Sequence, residues 1–456
     1  MSAIRNRHYW PDRTLHLSIW SLAWPMMLSN ITVPLLGLVD TAVIGHLDSP
    51  HYLGAVAVGG MIFSILFWAF GFLRMGTTGL VAQASGRDDG TAVRTLLAQS
   101  LILAALIGVA LILLRTPLLE LSLRLLDPAP DVLDEARAYS LVRIFGAPAA
   151  LCNYALLGWF VGNQNTRVPL LLLTFGNLLN MLLDLLFVYG FGMHAAGVAL
   201  GSVIAEWASL ALGLWFCRRL LAGISGQWLL EPLRRLKAYA AMIRVNRYLF
   251  VRTVTLLLTF AFFTAQGAKQ GTDILSANAV LLNFLMLISN ALDGFAHATE
   301  ALSGRSLGKR ELDRFYRTVV GAAIWSLVSA LLLTLIFALA GNLIIALLTG
   351  IEAVREEAAR YLPWLVALPL IGIWSFLLDG VFIGTTQVRA MQNTMLFSVF
   401  CVFVPIWWLT QPLANHGLWL AFLSLFAARG ISGAYVFWCL SRRRAWIEET
   451  ITEESR

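Results

Sequence analysis

The sequence contains few charged residues for its length. Asp, Glu, Lys and Arg make up 13% of its 456 residues, whereas soluble globular domains average about 25%. Apolar residues make up 59%, and the mean hydropathy is +0.75. Soluble chains of this length usually divide into domains joined by polar linkers, but here apolar segments follow one another almost from end to end. The composition therefore excludes an ordinary soluble protein.

Cysteine and clustered catalytic side chains are also scarce. The four cysteines lie far apart, in or beside apolar runs, at Cys152, Cys217, Cys401 and Cys439. None of their spacings is that of a zinc site or a disulfide framework, so we expect them to be packing residues. The chain also lacks a zinc-binding histidine pair and an acyltransferase-like His and Asp spacing. We therefore expect no metal, no cofactor and no enzymatic activity.

The apolar residues form twelve segments long enough to cross about 30 Å of hydrocarbon as helices. Hydropathy places these spans at 17–44, 53–82, 93–114, 138–161, 168–190, 195–217, 248–268, 276–300, 316–340, 360–383, 393–411 and 416–440. The first is much longer than the apolar core of a signal peptide, about 7–15 residues, so we interpret it as a retained span. The sequence predicts an all-α polytopic membrane protein with twelve transmembrane helices.

The basic residues predict the orientation of these spans. An even number of spans puts both termini on one side of the membrane. If that side is the cytoplasm, the inner segments contain 24 Lys and Arg residues and the outer segments contain 6. Cytoplasmic loops carry such an excess, so we expect both termini to be cytoplasmic. The net charge of +7 is then explained by topology and by contact with anionic lipids, and nucleic-acid binding is not expected.

The two halves of the sequence match at an offset of 222 residues without gaps. The matching pairs are Leu53–Val58 with Leu275–Val280, Gly86 with Gly308, Tyr139 with Tyr361, Gly162 with Gly384, and Arg167 with Arg389. The offset covers six spans, so both halves have the same topology. We expect two six-helix lobes related by a pseudo-two-fold axis along the membrane normal. The predicted parts are an N-terminal lobe at 1–217, a basic cytoplasmic linker at 218–247, a C-terminal lobe at 248–440 and a cytoplasmic tail at 441–456.

A few acids lie where lipid would reject them. They occur within the spans or at their ends, at Asp40, Asp184, Glu206, Asp293, Glu300 and Asp379. A charge in the middle of a membrane helix costs about 2.5–3.5 kcal/mol on insertion scales, so such a residue usually faces a polar interior and marks a function. Asp40 follows an uncharged stretch with two prolines, which make bending easier. This pattern favours a proton-operated element in the first span.

Two spans carry polar stripes. Asn177, Asn180 and Asp184 fall within about 60° of one another around the fifth helix, and the eighth span has a similar stripe that includes Asp293, His297 and Glu300. Structural interpretations remain open for several of these residues. The asparagines can bond across helices as packing contacts, and His297 can be a packing histidine. Glu206 can be an ion-pair partner inside its lobe, and Asp379 can be a structural partner of an arginine. Arg74, Arg143 and Arg429 can be ion-pair partners or snorkelling residues.

The stretch from Ala23 to Leu47, AWPMMLSNITVPLLGLVDTAVIGHL, resembles the first helix of the multidrug and toxic compound extrusion (MATE) family. Further features of the resemblance are Pro25, Asp40 with Thr41, Gln83 with Gly86, and the pairs Gly162 with Arg167 and Gly384 with Arg389. The resemblance covers essentially the whole chain. Asn30–Pro50 and the LDGF motif at Leu292–Phe295 resemble the DNA-damage-inducible (DinF) branch of that family.

The resemblance implies an efflux antiporter that exchanges organic, often cationic, compounds for protons or sodium ions. Its N-lobe coupling site falls here on Asp40, Asn180, Asp184 and Ser202, and we expect the substrate cavity to be lined by Asn177, Asn153 and Tyr139. Other members place a cation site on acids of the seventh, eighth and tenth helices. Here the seventh helix has no acid, but a C-lobe site remains open on Asp293, His297, Glu300 and Asp379.

We expect proton exchange by alternating access. Ionised Asp40 and Asp184 attract a cationic or amphipathic ligand from the inside, and protonation of Asp40 from the outside bends the first helix and releases the ligand. A sodium-coupled antiporter of the same family, a flippase for lipids or lipid-linked precursors, and a channel remain alternatives. The expected partners are small organic substrates, protons or sodium ions, and membrane lipids. The expected location of the chain, as a monomer, is a bacterial-type inner (plasma) membrane.

Overall fold

All regular secondary structure in the described part of the chain is helical. The structure is a computed structural model that describes residues 9–45 and 50–446, with the side chains of 9–30 and 51–446. These residues contain eleven helical stretches that are long and apolar enough to span a membrane. The remaining predicted span, which is the first in the chain at 17–44, lies within helix α1 (Arg13–Gly45). The predicted all-α membrane fold is confirmed.

One compact unit comprises residues 28–243. Its helices after α1 are α2 (Pro50–Ala69), α3 (Phe72–Gly86), α4 (Gly90–Leu113), α5 (Arg115–Leu126), α6 (Pro130–Arg143), α7 (Ala147–Gly162), α8 (Arg167–Leu185), α9 (His194–Leu221) and α10 (Glu231–Arg234). A 3-10 turn at Ile144–Gly146 joins α6 to α7, so that residues Pro130–Gly162 form one span. A π-helical turn at Leu186–Gly190 extends α8.

The other compact unit comprises residues 1–27 and 244–456. Its helices after the start of α1 are α11 (Ala240–Ala268), α12 (Thr272–Gly308), α13 (Leu312–Leu348), α14 (Glu352–Gly384), α15 (Val388–Phe397), α16 (Val404–Leu409) and α17 (Asn415–Arg443). A π-helical turn at Ser398–Phe403 joins α15 to α16. Apolar side chains on α13, such as Leu339 and Leu347, are almost 80% exposed, as expected for a surface that faces lipid.

The boundary between the units falls inside α1, whereas the sequence analysis places all of residues 1–217 in one lobe. The first half of α1 packs on α12 and α13. The indole Nε1 of Trp325 lies 2.9 Å from Nδ1 of His16, and the ring of Trp20 meets Phe295 edge-on at 5.5 Å. Gly294 lies directly against α1, because a Cβ there would lie 2.9 Å from the carbonyl oxygen of Ala23. These contacts explain why the first half of α1 belongs to the same compact unit as the later half of the chain.

Several helices extend beyond the predicted spans, and the short helices α5 and α10 lie outside all of them. Helix α5 lies in a segment that hydropathy left outside the spans, because Arg115, Glu120 and Arg124 interrupt its leucines. Helix α9 continues to Leu221, four residues past the predicted end. Helix boundaries of this kind depend on local hydrogen bonds and capping, which hydropathy averaged over a segment does not detect.

In the unit that comprises residues 28–243, glycines allow α7 to pack closely against α3. A Cβ on Gly158 would lie 2.3 Å from the carbonyl oxygen of Arg74, and one on Gly162 would lie 2.9 Å from that of Thr78. Only glycine allows the two backbones to approach this closely.

The same contact recurs in the other unit, between α14 and α12. A Cβ on Gly380 would lie 2.6 Å from the carbonyl oxygen of Ala296, and one on Gly384 would lie 2.3 Å from that of Glu300. Each of these four residues lies 222 positions after its counterpart in the first contact. The duplication found in the sequence therefore extends to helix packing within each unit.

Candidate functional site

Three of the four predicted coupling residues lie together between α8 and α9. The amide Nδ2 of Asn180 donates a hydrogen bond to Oδ1 of Asp184 at 3.1 Å. The hydroxyl of Ser202 donates to Oδ1 of Asn180 at 3.5 Å. Asp184 has no exposed surface and Asn180 is 3% exposed. We call Asn180, Asp184 and Ser202 the N-unit triad.

The fourth predicted residue, Asp40, lies in the helical backbone of α1, but its side chain is outside the part of the chain whose side chains are described. Asn177 lies one turn before Asn180 on α8 and is half-buried. The stripe predicted on the fifth helix is therefore present, with its carboxylate in the most buried position.

Local backbone features make room for the carboxylate of Asp184. A Cβ on Gly201 would lie 2.5 Å from Oδ1 of Asp184 and 3.3 Å from Nδ2 of Asn180. Only glycine at position 201 therefore lets α9 approach this acid without displacing it. The π-helical turn at Leu186–Gly190 begins two residues after Asp184, and such widened turns occur frequently at functional sites.

An ion pair lies one helical turn along α9 from the triad. The guanidinium of Arg143 on α6 donates to both carboxylate oxygens of Glu206, at 2.8 and 2.5 Å. Arg143 also lies over the ring of Phe67, at 5.0 Å from its centroid. A bidentate pair of this kind is among the stronger ionic contacts. The interpretation of Glu206 as an ion-pair partner within its lobe is confirmed, and the structure identifies Arg143 as that partner.

Two residues predicted to line a substrate cavity lie at this ion pair. The amide of Asn153 on α7 donates to the backbone carbonyl of Glu206 at 3.0 Å. Tyr139 is 5% exposed, interacts with the Arg143 side chain and fills the space opposite Gly59, where a Cβ would lie 2.2 Å from its ring. Asn153 thus links α7 to α9 and Tyr139 packs α6 against α2, and their role in a substrate cavity stays a prediction.

In the unit that contains α11 to α17, one carboxylate forms ion pairs with two arginines. Oδ2 of Asp379 on α14 accepts hydrogen bonds from Arg252 on α11 and from Arg429 on α17, each at 2.6 Å. Arg252 is 8% exposed and Arg429 is 5% exposed. We call Arg252, Asp379 and Arg429 the arginine triad. It joins three helices through one half-buried acid, as the ion-pair interpretation of Asp379 expects.

The remaining predicted residues of this unit lie on α12. Nδ1 of His297 lies 3.3 Å from Oε1 of Glu300, and both side chains are buried. Asp293 lies close enough to Arg429 to interact with it electrostatically. Among the described residues, no group of three His, Cys, Asp or Glu side chains is arranged to hold a metal ion. The acids of this unit are thus divided between arginines and a histidine.

Arg252 is the site residue that sequence reasoning missed. It lies only four positions into the predicted seventh span, next to the basic linker, so the sequence does not distinguish it from the basic residues that set orientation. Helix α11 begins at Ala240, so Arg252 lies more than three turns inside the helix. An arginine at that depth is expected to have an acidic partner, and this signal becomes visible once the helix start is known.

Comparisons with known proteins agree with this architecture. A sequence model of the MatE family matches residues 25–186 and 249–409. DNA damage-inducible protein F of Escherichia coli is 45% identical over 95% of this chain and 94% of its own length. Multidrug resistance protein NorM of Vibrio parahaemolyticus is 25% identical over 92% and 95%. A solved MOP superfamily transporter from Pyrococcus furiosus, 20% identical, matches 95% of this chain and 96% of its own with a TM-score of 0.82.

Proposed function

The chain belongs to the MatE family of membrane transporters, and from that premise we propose that it is a secondary active efflux antiporter. It exports organic, cationic or amphipathic compounds and takes up protons in exchange. The family membership confirms the resemblance seen in the sequence. The multidrug resistance protein among its relatives supports the substrate class.

The N-unit triad is the observation that carries this proposal. Asp184 lies in an apolar helix with no exposed surface, and a carboxylate removed from water is costly to keep charged unless it is paired or hydrogen-bonded. Asn180 supplies such a bond through its N–H group. An acid in this setting can gain or lose a proton as its surroundings change, which is what a proton-coupled transporter needs.

The orientation of the Asn180 amide favours a proton over a sodium ion. Its oxygen accepts from Ser202 and its nitrogen faces Asp184, an assignment made from the hydrogen-bond pattern. A metal cation bound at Asp184 would need oxygen ligands directed at it, so the Asn180 amide would have to turn its oxygen towards the carboxylate. A proton on the carboxylate needs no further ligand.

The arginine triad supports the same choice. A sodium site in this unit would need Asp379 as a free anionic ligand, but two guanidiniums lie 2.6 Å from one of its oxygens. A cation added there would be repelled by both positive charges. We therefore assign Asp379 a structural role and place ion coupling in the N-unit triad together with Asp40.

The proposed exchange has a definite energetic consequence. Exchange of one proton for one monovalent organic cation moves no net charge. The driving force is then the pH gradient alone, about 1.4 kcal/mol for each pH unit, and the membrane potential contributes nothing. Protonation of Asp40 removes one of the negative charges that attract the ligand, so that release follows protonation.

We also propose that the protein lies in the bacterial inner membrane as a monomer, with both termini in the cytoplasm. The 24 to 6 distribution of basic residues and the bacterial relative support this placement. An N-terminal epitope on spheroplasts should bind antibody only after permeabilisation, and binding to intact spheroplasts would contradict the orientation.

Transport by purified protein in liposomes tests the function. We expect an imposed pH gradient to drive ethidium exchange and an imposed sodium gradient to have no effect. Asp40→Asn should abolish pH-driven exchange, whereas Asp293→Asn should retain it. Loss only in Asp293→Asn, or exchange driven by sodium, would place the coupling site in the other unit.

A further inference from the structure

A cleft lies between the start of α4 and the end of α9. Leu97, Ala98 and Leu101 of α4 form one wall, and Leu214 and Cys217 of α9 form the other. Leu97 and Cys217 belong to the buried core that α7 contributes to, so this core forms the floor. The volume of about 420 Å³ is within the usual range of ligand pockets, about 300–1,000 Å³. We call it the α4–α9 cleft.

The chain that follows α9 closes one end of the cleft. Arg94 is 7% exposed and donates to the carbonyl oxygens of Leu221 and Ile224, at 2.8 and 2.7 Å. These bonds satisfy carbonyls that a helix end leaves without partners. Gly90 lies directly beneath this segment, because a Cβ there would lie 1.7 Å from the carbonyl oxygen of Ser225. The positive charge of Arg94 is therefore already engaged by backbone carbonyls.

The rim of the cleft combines apolar surface with an available positive charge. Arg218 in the last turn of α9 is exposed and lines the cleft. No side chain in the described part of the chain forms an ion pair or hydrogen bond with it. Trp228 is 56% exposed and Leu214 is 42% exposed at the same opening. An arginine above an apolar groove, with an indole beside it, is typical of the membrane interface.

We propose that the α4–α9 cleft binds one anionic phospholipid from the leaflet on the side of the basic linker. An acyl chain lies along Ala98, Leu101 and Leu214, and the lipid phosphate pairs with Arg218. The apolar walls match a hydrocarbon chain, and the unpaired guanidinium matches an anionic headgroup. The bound lipid would fasten the end of α9 and the first residues of the linker to α4. This site is independent of the proposed antiport chemistry.

Native mass spectrometry of the full-length protein in detergent tests the proposal, with phosphatidylglycerol and phosphatidylcholine supplied at equal concentrations. We expect the wild-type protein to retain one phosphatidylglycerol in preference to phosphatidylcholine. Arg218→Gln should weaken that binding about fivefold, the effect of about 1 kcal/mol per basic residue near the surface. Ala98→Trp should remove it, because the indole fills the cleft.

Arg442→Gln is the matched control, since Arg442 is an exposed arginine in the last turn of α17. It should bind phosphatidylglycerol as the wild type does. Wild-type affinity in Arg218→Gln, which changes only an exposed side chain, would overturn the proposal. An equal loss in Arg442→Gln would also overturn it, because the effect would then be that of general surface charge. A dimer mass that Ala98→Trp abolishes would show that a second copy of the chain occupies the cleft instead.

Discussion

The arginine triad predicts that replacing Asp379 destabilises the protein far more than replacing one of its arginines. Oδ2 of Asp379 accepts bonds from Arg252 and Arg429 at the same distance, 2.6 Å. The three side chains are 17%, 10% and 5% exposed. Asp379→Asn keeps the shape of the side chain and removes the carboxylate that both guanidiniums contact. Breaking a buried pair in this way costs about 3–5 kcal/mol, and repulsion between the guanidiniums acts in the same direction.

Arg252→Gln is expected to behave differently. It leaves Asp379 paired with Arg429, one acid to one arginine, and the loss should be that of one charged hydrogen bond, about 1.5–3 kcal/mol. Asp273→Asn is the matched control, because Asp273 is an exposed acid in the first turn of α12. It should change the free energy of unfolding by less than about 1 kcal/mol.

Unfolding of each purified variant in mixed detergent micelles, followed by circular dichroism against denaturant concentration, gives the three free energies. The reasoning predicts the order Asp379→Asn, then Arg252→Gln, then Asp273→Asn, from the most to the least destabilised. If Asp379→Asn is as stable as the wild type, the carboxylate does not neutralise the two arginines, and it is available as an ion ligand.

Three further predictions concern Gly201, Arg94 and Asp12. Gly201→Ala should displace the Asp184 carboxylate, lower the free energy of unfolding by about 1–3 kcal/mol and lower proton-driven transport. Gly60→Ala is the control, because a Cβ there meets nothing within 4 Å, and it should leave transport unchanged. Equal transport by both variants would contradict the close contact between position 201 and Asp184. Arg94→Gln should free residues 222–228 from α4, so that trypsin cleaves the linker faster than in the wild type. An unchanged cleavage rate would show that the hydrogen bonds of Arg94 do not hold this segment. The backbone N–H of Leu15 and the hydroxyl of Thr14 lower the pKa of Asp12, so the stability that ionised Asp12 contributes is lost as pH falls below about 4. In Asp12→Asn the melting temperature should therefore depend less on pH in that range. A pH dependence equal to that of the wild type would refute this contribution.

Much of the fold follows from the sequence because membrane spans have a strong and continuous signal. Eleven of the twelve predicted spans coincide with helices of membrane-spanning length. The lipid solvent requires about 20 apolar residues in each span, so that hydropathy alone locates them. The polar stripe of Asn180 and Asp184 was visible for the same reason, since polar residues stand out against such a background.

The roles of individual charges were harder to predict because they depend on partners distant in sequence. Asp379 and Arg252 are 127 positions apart, and nothing near either residue indicates the other. Arg94 lies at the start of the predicted third span, where the sequence does not distinguish it from the basic residues that set orientation, but it caps the end of α9. Sequence patterns report which residues are polar within a span, whereas packing decides whether each one pairs, caps a helix or remains available.

The position of Gly201 shows a second limit. Glycine is common in membrane helices, so its presence in the sixth span carried no particular signal. Only the distance from its backbone to Asp184 shows that this glycine makes room for a carboxylate.

The central claim, that protons are exchanged through the N-unit triad, is tested most directly by measuring proton and substrate fluxes together. Liposomes that contain a pH-sensitive dye and the purified protein report proton movement while ethidium uptake is followed. The wild-type protein should move one proton for each ethidium at a rate that does not depend on membrane potential, and Asp184→Asn should move neither against a gradient. Proton-coupled exchange at the wild-type rate in Asp184→Asn would contradict the account.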